Sequence, residues 1–284
     1  MKKRFICIFG ILAIVLLIFT TTHADILDPY DNIVAPPGTF ALGTYLMYQH
    51  YPEYSPKDFD DIDIGVDASI LALRPIYFAP VQFFGHSWGF NAILPMGQVS
   101  VKDTESTTGF GDLIFGPFIY LIENETDNIY LSFWEFIQAP TGKFSDDLEN
   151  NIGTDRWFFE QELAFGWYPG KFGIDANLNW WIFNESSAHN IKPPMAIEFE
   201  AVFHYAVTEK FTVGLQGAAW WDLGDTEVDG MNIDGSKGDN IKVGLNFGYN
   251  LLENLIVNLR FMQDVRSENW TKGSWTYLRL LYIF

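Results

Sequence analysis

The chain has 284 residues, is 48% hydrophobic and 17% aromatic, and carries a formal net charge of −19 at pH 7. A chain this acidic repels nucleic acid, so that class of partner is excluded. The only cysteine, Cys7, precedes the predicted mature chain. That chain therefore has no disulfide framework, no cysteine metal site and no thiol chemistry.

The amino-terminal segment has the layout of a secretory signal peptide. Residues 2–4 are basic, residues 5–19 are apolar, and small residues lead up to Ala24. The apolar run is shorter than the roughly 18 residues that cross a bilayer as a helix. We predict that residues 1–24 are cleaved off and that residues 25–284 form one exported domain. Loss of the three basic residues lowers its net charge from −19 to −22.

Apolar and polar residues alternate with a period of two through almost the whole mature chain. The clearest case, within 239–250, places on one face Ile241, Val243, Leu245, Phe247 and Tyr249. No stretch after the signal peptide is apolar enough for a transmembrane helix, so residence in a membrane would require strands. A strand between hydrocarbon and a lumen shows this alternation.

Turn-forming residues divide the chain into twelve predicted strands. These lie near residues 38–50, 62–74, 81–94, 109–122, 128–140, 155–168, 171–183, 194–207, 210–222, 239–250, 253–264 and 274–284. Long connections alternate with tight turns such as Pro169-Gly170, as extracellular loops and periplasmic turns do in bacterial barrels. We predict an all-β fold, a single antiparallel transmembrane β-barrel of about twelve strands, with both termini on the periplasmic side and a narrow lumen.

Further details bear on this assignment. The chain ends on an apolar ladder that includes Tyr282 and Phe284, which resembles the signal read by the outer-membrane assembly machinery. A soluble β-sandwich is the alternative, but most predicted strands exceed the usual 5 or 6 residues. Pro117 lies inside a predicted strand and removes a ladder donor, so we expect a bulge or an early edge there.

Several motifs resemble the family of outer-membrane barrel proteins described as "Putative MetA-pathway of phenol degradation". An opening signature occupies residues 35–40, and Gly-Phe-Gly-Asp-Leu occupies 109–113. The most specific block combines Ala139-Pro140-Thr141-Gly142, Asn151-Ile152-Gly153 and Trp157-Phe158-Phe159-Glu160. The resemblance implies passage of small hydrophobic compounds, aromatic ones among them, across the outer membrane.

The predicted lumen face carries acids on the middle strands and bases on the last strands. The candidates for contact with a solute are Asp112, Phe118, Tyr120, Glu160, Glu162, Asp175, Glu198, Glu200, Lys242, Arg260 and Arg279. The acids and bases either meet as an ion-pair network that plugs the lumen or leave a transverse field along a pore. Phe118 and Tyr120 share a face with Asp112, so part of the lumen should be apolar and bind a hydrophobic ligand or an inward-folded loop.

We therefore predict a passive channel or transporter for small hydrophobic solutes, with no cofactor and no chemistry. One alternative is an outer-membrane lipid hydrolase, in which His50 or His204 meets a serine; another is a structural or adhesive surface barrel. The letters Gly85-His86-Ser87-Trp88-Gly89 fit a nucleophile elbow but continue as strand instead of helix.

Other expected partners are outer-membrane lipid and lipopolysaccharide. The acidic residues near 222–239 form a solvated loop that could collect divalent cations. They lack the ligand spacing of a known calcium loop, and no dedicated metal site is predicted.

Deletion of Phe284 should slow insertion into the outer membrane, because the terminal aromatic belongs to the predicted assembly signal. The measurement is the fraction of heat-modifiable protein in outer membranes. Efficient assembly of the shortened chain would contradict this interpretation of the carboxyl terminus.

Overall fold

The structure is a computed structural model that describes residues 27–145 and 150–284; the predicted signal peptide lies outside these residues. Within the described ranges, no helix is long and apolar enough to cross a membrane. The strands are β1 (Phe40–Ser55), β2 (Ile62–Phe78), β3 (Trp88–Val101), β4 (Thr107–Phe110), β5 (Leu113–Asn124), β6 (Ile129–Ala139), β7 (Phe158–Trp167), β8 (Phe172–Phe183), β9 (Ile191–Lys192), β10 (Ala196–Ala206), β11 (Phe211–Asp222), β12 (Glu227–Val228), β13 (Met231–Asn232), β14 (Asp239–Leu252), β15 (Leu255–Glu268) and β16 (Trp270–Ile283).

The long strands close into one antiparallel barrel. Each wall strand pairs with its neighbours in sequence order, and β1 pairs with both β2 and β16. Strands β4 and β5 both pair with β3 and share one position in the wall, which gives the predicted twelve positions. Apart from the short β4, whose one ladder among the described strands is with β3, every wall strand pairs on both sides, as hydrocarbon requires. The short strands β9, β12 and β13 form a separate small sheet in two of the long connections.

Alternate side chains point outward and inward along each strand. On β14, Leu245 is 50% exposed on the outer face, whereas the next residue, Asn246, is completely buried inside. The outer face carries many large apolar side chains, among them Leu46, Phe203 and Phe261. This arrangement provides the apolar outer band of a membrane barrel.

Several connections differ from the prediction. Residues 95–108 and 265–273 were predicted as loops, but β3 extends to Val101 and only Asn269 separates β15 from β16. The polar residues in these stretches lie on strands that continue beyond the apolar band, where hydrophilicity no longer indicates a loop. Conversely, residues 81–87 precede β3 and form a connection in which Phe83 and His86 pair across a tight turn.

The irregularity expected at Pro117 is present in a different form. Pro117 pairs with Phe90 of β3, but the ladder between β5 and β6 skips Gly116 and Pro117. The register shift follows later, between Tyr120 and Ile122. The missing amide donor therefore weakens one side of the strand, and β5 continues instead of ending there.

Leu245→Arg should destabilise the folded barrel by about 2–4 kcal/mol, because it places a charge near the middle of the apolar band. Met231→Arg is the matched control, since Met231 is also strongly exposed, at 67%, but lies in β13 of a loop. Equilibrium unfolding in liposomes measures both variants. Equal losses of stability would contradict the assignment of the lipid-facing surface.

Candidate solute-binding site in the barrel lumen

The chain ahead of β1 lies inside the barrel. Leu27, Asp28 and Asn32 are buried, although the segment forms no strand with the wall. We call residues 27–36 the inner segment. It occupies the lumen from the side of β14–β16 to that of β6–β8, as its hydrogen bonds to both sides show.

Arg279 and Arg260 hold one side of the inner segment, and Arg260 Nη2 lies 3.9 Å from Asp28 Oδ1. Asp28 Oδ2 lies 2.8 Å from Arg279 Nε, and Asp31 Oδ1 lies 2.6 Å from Arg279 Nη1. Tyr277 donates its hydroxyl hydrogen bond to Asp28 at 2.8 Å. Burial raises the pKa of Asp31 to about 6, although the charge of Arg279 opposes this shift. Asp31 is therefore half ionised near pH 6, and its ion pair with Arg279 weakens as the pH falls below that value.

A buried carboxylate holds the other side. Asp175 of β8 accepts hydrogen bonds from the backbone amides of Tyr30 at 2.9 Å and Asn32 at 3.2 Å. It also accepts one from the hydroxyl of Tyr168, and its Oδ2 lies 3.1 Å from Nε2 of His204. A side chain at Gly173 would overlap the His204 ring, with a Cβ only 2.1 Å from Cε1. The glycine therefore lets the ring approach Asp175.

The structure brings part of the predicted acid and base set together. Arg260 Nη1 lies 2.9 Å from Oε1 of Glu200, and the carbonyl of Leu27 accepts a hydrogen bond from the same guanidinium. All predicted solute contacts have buried side chains: Asp112, Phe118, Tyr120, Glu160, Glu162, Asp175, Glu198, Glu200, Lys242, Arg260 and Arg279. The sequence left open whether the acids and bases pair or leave a field along a pore, and it did not indicate the inner segment that completes the pairs.

Two of these residues, Asp112 and Lys242, contact the barrel wall or a connection instead of the inner segment. Asp112 accepts hydrogen bonds from the amides of Gly142 and Thr154, both at 2.7 Å, and thereby fixes the connection between β6 and β7. Lys242 Nζ lies 4.4 Å from the centre of the Trp275 ring. Asp112 was predicted to contact a solute, but its carboxylate accepts hydrogen bonds from the backbone of this connection and is therefore not a free charge in the lumen.

Aromatic rings cover the lumen face of β5 and β6. Phe118 stacks on Trp134 with ring centres 3.9 Å apart, and Trp134 lies nearly parallel to Phe136. Phe78 of β2 meets the edge of Phe118 at 5.0 Å. Tyr120 donates its hydroxyl hydrogen bond to the carbonyl of Ile33. The expected apolar sector exists, and it contacts the inner segment.

A cavity of about 350 Å³ separates the inner segment from the wall near the strand ends that carry the termini. Its lining includes Phe78, Trp134, Asn177, Glu162 and Arg74. The volume falls within the range of small-molecule pockets. The sequence analysis did not predict Arg74 as a lumen residue. It lies on the same face of β2 as the buried residues Ala68 and Ala72, and this alternation could have identified it.

The other predicted features lie outside this cavity. Ser87 donates to Glu123, and His204 belongs to the Asp175 cluster. In the ranges 27–145 and 150–284, no three acidic, histidine or cysteine side chains converge as a metal site. At the carboxyl terminus, Phe284 packs its ring against Phe40 and Tyr282, with centres 5.2 and 4.7 Å apart.

A closed barrel with an apolar outer band and a polar and aromatic interior defines the chain as a bacterial outer-membrane β-barrel protein. The family model described as "Putative MetA-pathway of phenol degradation" matches residues 47–280. The chain belongs to this family, as its motifs predicted. No curated protein sequence matches the chain.

Solved structures of outer-membrane proteins share the fold. An outer membrane channel from Pseudomonas putida F1 is 18% identical, with a TM-score of 0.83 over 91% of this chain and 100% of that one. The TodX monoaromatic hydrocarbon channel, as a deletion mutant, is 9% identical, with a TM-score of 0.52 over 90% and 92% of the two chains. The translocator domain of the autotransporter NalP from Neisseria meningitidis is 10% identical, with a TM-score of 0.52 over 88% and 90%.

Asp28→Ala should cost about 3–5 kcal/mol, because it removes the buried carboxylate that pairs with Arg279 Nε and accepts the Tyr277 hydroxyl, and it leaves Arg279 with Asp31 as its remaining carboxylate. The control is Asp61→Ala, which breaks an exposed pair with Lys272 and should cost about 1 kcal/mol or less. Denaturant unfolding of both purified variants checks the difference. Similar costs would show that the inner segment does not depend on this ion pair.

Proposed function

We propose that this protein is a passive outer-membrane channel for small hydrophobic compounds, aromatic ones in particular. The observation that carries the proposal is the cluster of packed aromatic rings on β2, β5 and β6, namely Phe78, Phe118 and Trp134, beside a cavity of about 350 Å³. An aromatic solute gains contact area and favourable ring geometry at such a wall. The family description and the TodX title, which names monoaromatic hydrocarbons for that channel, support the same class of solute.

The inner segment sets the condition for passage in this proposal. Because residues 27–36 occupy part of the lumen, a solute must pass beside the segment or the segment must shift. Its anchors at Asp175 and Arg279 and the hydrogen bond from Tyr120 fix its resting position. The protein supplies a path and a binding surface, and the proposed transport involves no covalent chemistry and no cofactor.

The contacts with lipid remain part of the proposal. The exposed apolar side chains of the outer face match hydrocarbon, and the charged groups above them match lipid head groups or lipopolysaccharide. Assembly through recognition of Tyr282 and Phe284 also remains a prediction.

Phe118→Ser should lower uptake of a small aromatic solute such as toluene about tenfold, because Phe118 stacks on Trp134 and holds that ring in the cavity wall. A displaced Trp134 ring would forfeit about 1.5–3 kcal/mol of apolar contact with the solute. Phe115→Ser is the matched control on the same strand, because Phe115 is 39% exposed on the outer face whereas Phe118 is 2% exposed inside. Uptake is measured in proteoliposomes, with a sugar of similar size as the second solute.

Loss of aromatic flux in the Phe118 variant alone supports the channel. Equal flux of toluene and the sugar in every variant would instead indicate a general pore. Absence of any flux in the unaltered protein would favour a structural or adhesive barrel.

A lipid hydrolase is the second candidate function, and one observation favours it. On the outer face, His50 pairs in register with Ser274 of β16 and with Asp67 of β2. His50 Nδ1 lies 2.8 Å from Asp67 Oδ1, and directly paired Cβ atoms such as those of Ser274 and His50 are about 5 Å apart. An apolar groove of about 720 Å³, lined by Leu46 and Leu71 among others, begins beside this row.

In that reaction, Ser274 Oγ would attack the ester carbonyl of a lipid while His50 takes its proton and passes it to the leaving alcohol. Water would then release the fatty acid. Phospholipid turnover by purified protein that disappears in Ser274→Ala would support this function, whereas equal turnover in both proteins, or none, would eliminate it.

A further inference from the structure

Arg74 is the notable cation of the cavity wall. Its side chain points inward from β2 and is only 8% exposed. Among residues 27–145 and 150–284, it forms no ion pair and donates no hydrogen bond, and its Nε is buried without an acceptor. The guanidinium carbon lies 5.6 Å from the centre of the Trp134 ring and 5.5 Å from that of Phe136.

This environment differs from that of the other lumen arginines. Arg260 and Arg279 each lie against carboxylates within 3 Å. A charge removed from water without such a partner is costly, and a contact with aromatic faces returns only about 0.5–2 kcal/mol. A carboxylate that binds bidentately to a guanidinium would supply the missing compensation and satisfy its donors.

The acids of the cavity are already engaged elsewhere. Asp31 pairs with Arg279, and Glu162 Oε2 accepts a hydrogen bond from Asn177 Nδ2 at 2.6 Å. Neither carboxylate forms an ion pair with Arg74 among the described residues. They add negative potential to the same cavity, so a ligand with one carboxylate fits better than a ligand with two.

We propose that the cavity binds aromatic monocarboxylates of the size of benzoate, with the carboxylate on Arg74 and the ring against Phe78 and Trp134. The inference rests on the proposed function and narrows its substrate class, because it selects a charged aromatic over a neutral one. The cavity volume of about 350 Å³ accommodates one such ring beside the inner segment. Arg74 acts as the group that determines specificity.

The first test uses the unaltered protein in detergent and isothermal titration calorimetry with three probes of similar size: benzoate, benzyl alcohol and benzylamine. We expect benzoate to bind at least about tenfold more tightly than benzyl alcohol, and benzylamine to bind most weakly, because a charge-assisted pair forms only with the carboxylate. Equal affinities for benzoate and benzyl alcohol would overturn the proposal. This comparison needs no variant.

The second test compares Arg74→Gln with Arg266→Gln, a control that removes an exposed arginine far from the cavity. Arg74→Gln should reduce benzoate affinity at least about tenfold and leave benzyl alcohol affinity unchanged. Arg266→Gln should change neither. Unaltered benzoate affinity in a heat-modifiable, folded Arg74→Gln barrel would overturn the assignment of Arg74.

Flux measurements separate this inference from the proposed function. Toluene flux together with equal affinities for benzoate and benzyl alcohol would leave the channel standing and overturn the carboxylate site. Absence of aromatic flux together with benzoate binding that depends on Arg74 would overturn the channel and retain the site. Absence of aromatic flux together with benzoate binding that does not depend on Arg74 would overturn both proposals.

Discussion

Every other property of this protein depends on closure of the backbone hydrogen bonds around the barrel. In hydrocarbon, each unpaired amide or carbonyl costs several kcal/mol, so the pairing of β1 with β16 is as necessary as any hairpin. Closure imposes the alternation of outward and inward side chains. It thereby determines that Leu245 contacts lipid while Asn246, one residue along, faces the interior.

The interior that closure creates is filled by a segment from the same chain. Arg279 of the wall would be a buried, unbalanced charge without the carboxylates of Asp28 and Asp31, and Asp28 also lies near Arg260, which pairs with Glu200. Asp175 on the opposite wall then accepts hydrogen bonds from the backbone amides of Tyr30 and Asn32. The inner segment is thus both a structural counterion and an obstacle in the path of any solute, which links the stability of the lumen to its transport properties.

The aromatic sector and Arg74 divide the work of recognition in our proposals. The rings of Phe78 and Trp134, with Phe118 packed behind them, offer contact area to any aromatic compound, with little discrimination by charge. Arg74 adds a directional, charge-dependent contact at one end of the same cavity. The His50–Asp67 pair of the proposed hydrolase lies on the outer face of the wall, away from any solute in the lumen.

The sequence by itself determined the strand count, the facing of most side chains and the family, because period-two alternation and local motifs are encoded by neighbours in the chain. It also placed Glu200, Arg260 and Arg279 on the lumen face. The tertiary structure alone decided that residues 27–36 enter the barrel, that Asp112 binds a loop, and that Arg74 has no carboxylate partner within the described part of the chain. These outcomes depend on contacts between residues that are distant in sequence, such as Asp28 with Arg279, and no local pattern specifies which of several acids reaches which base.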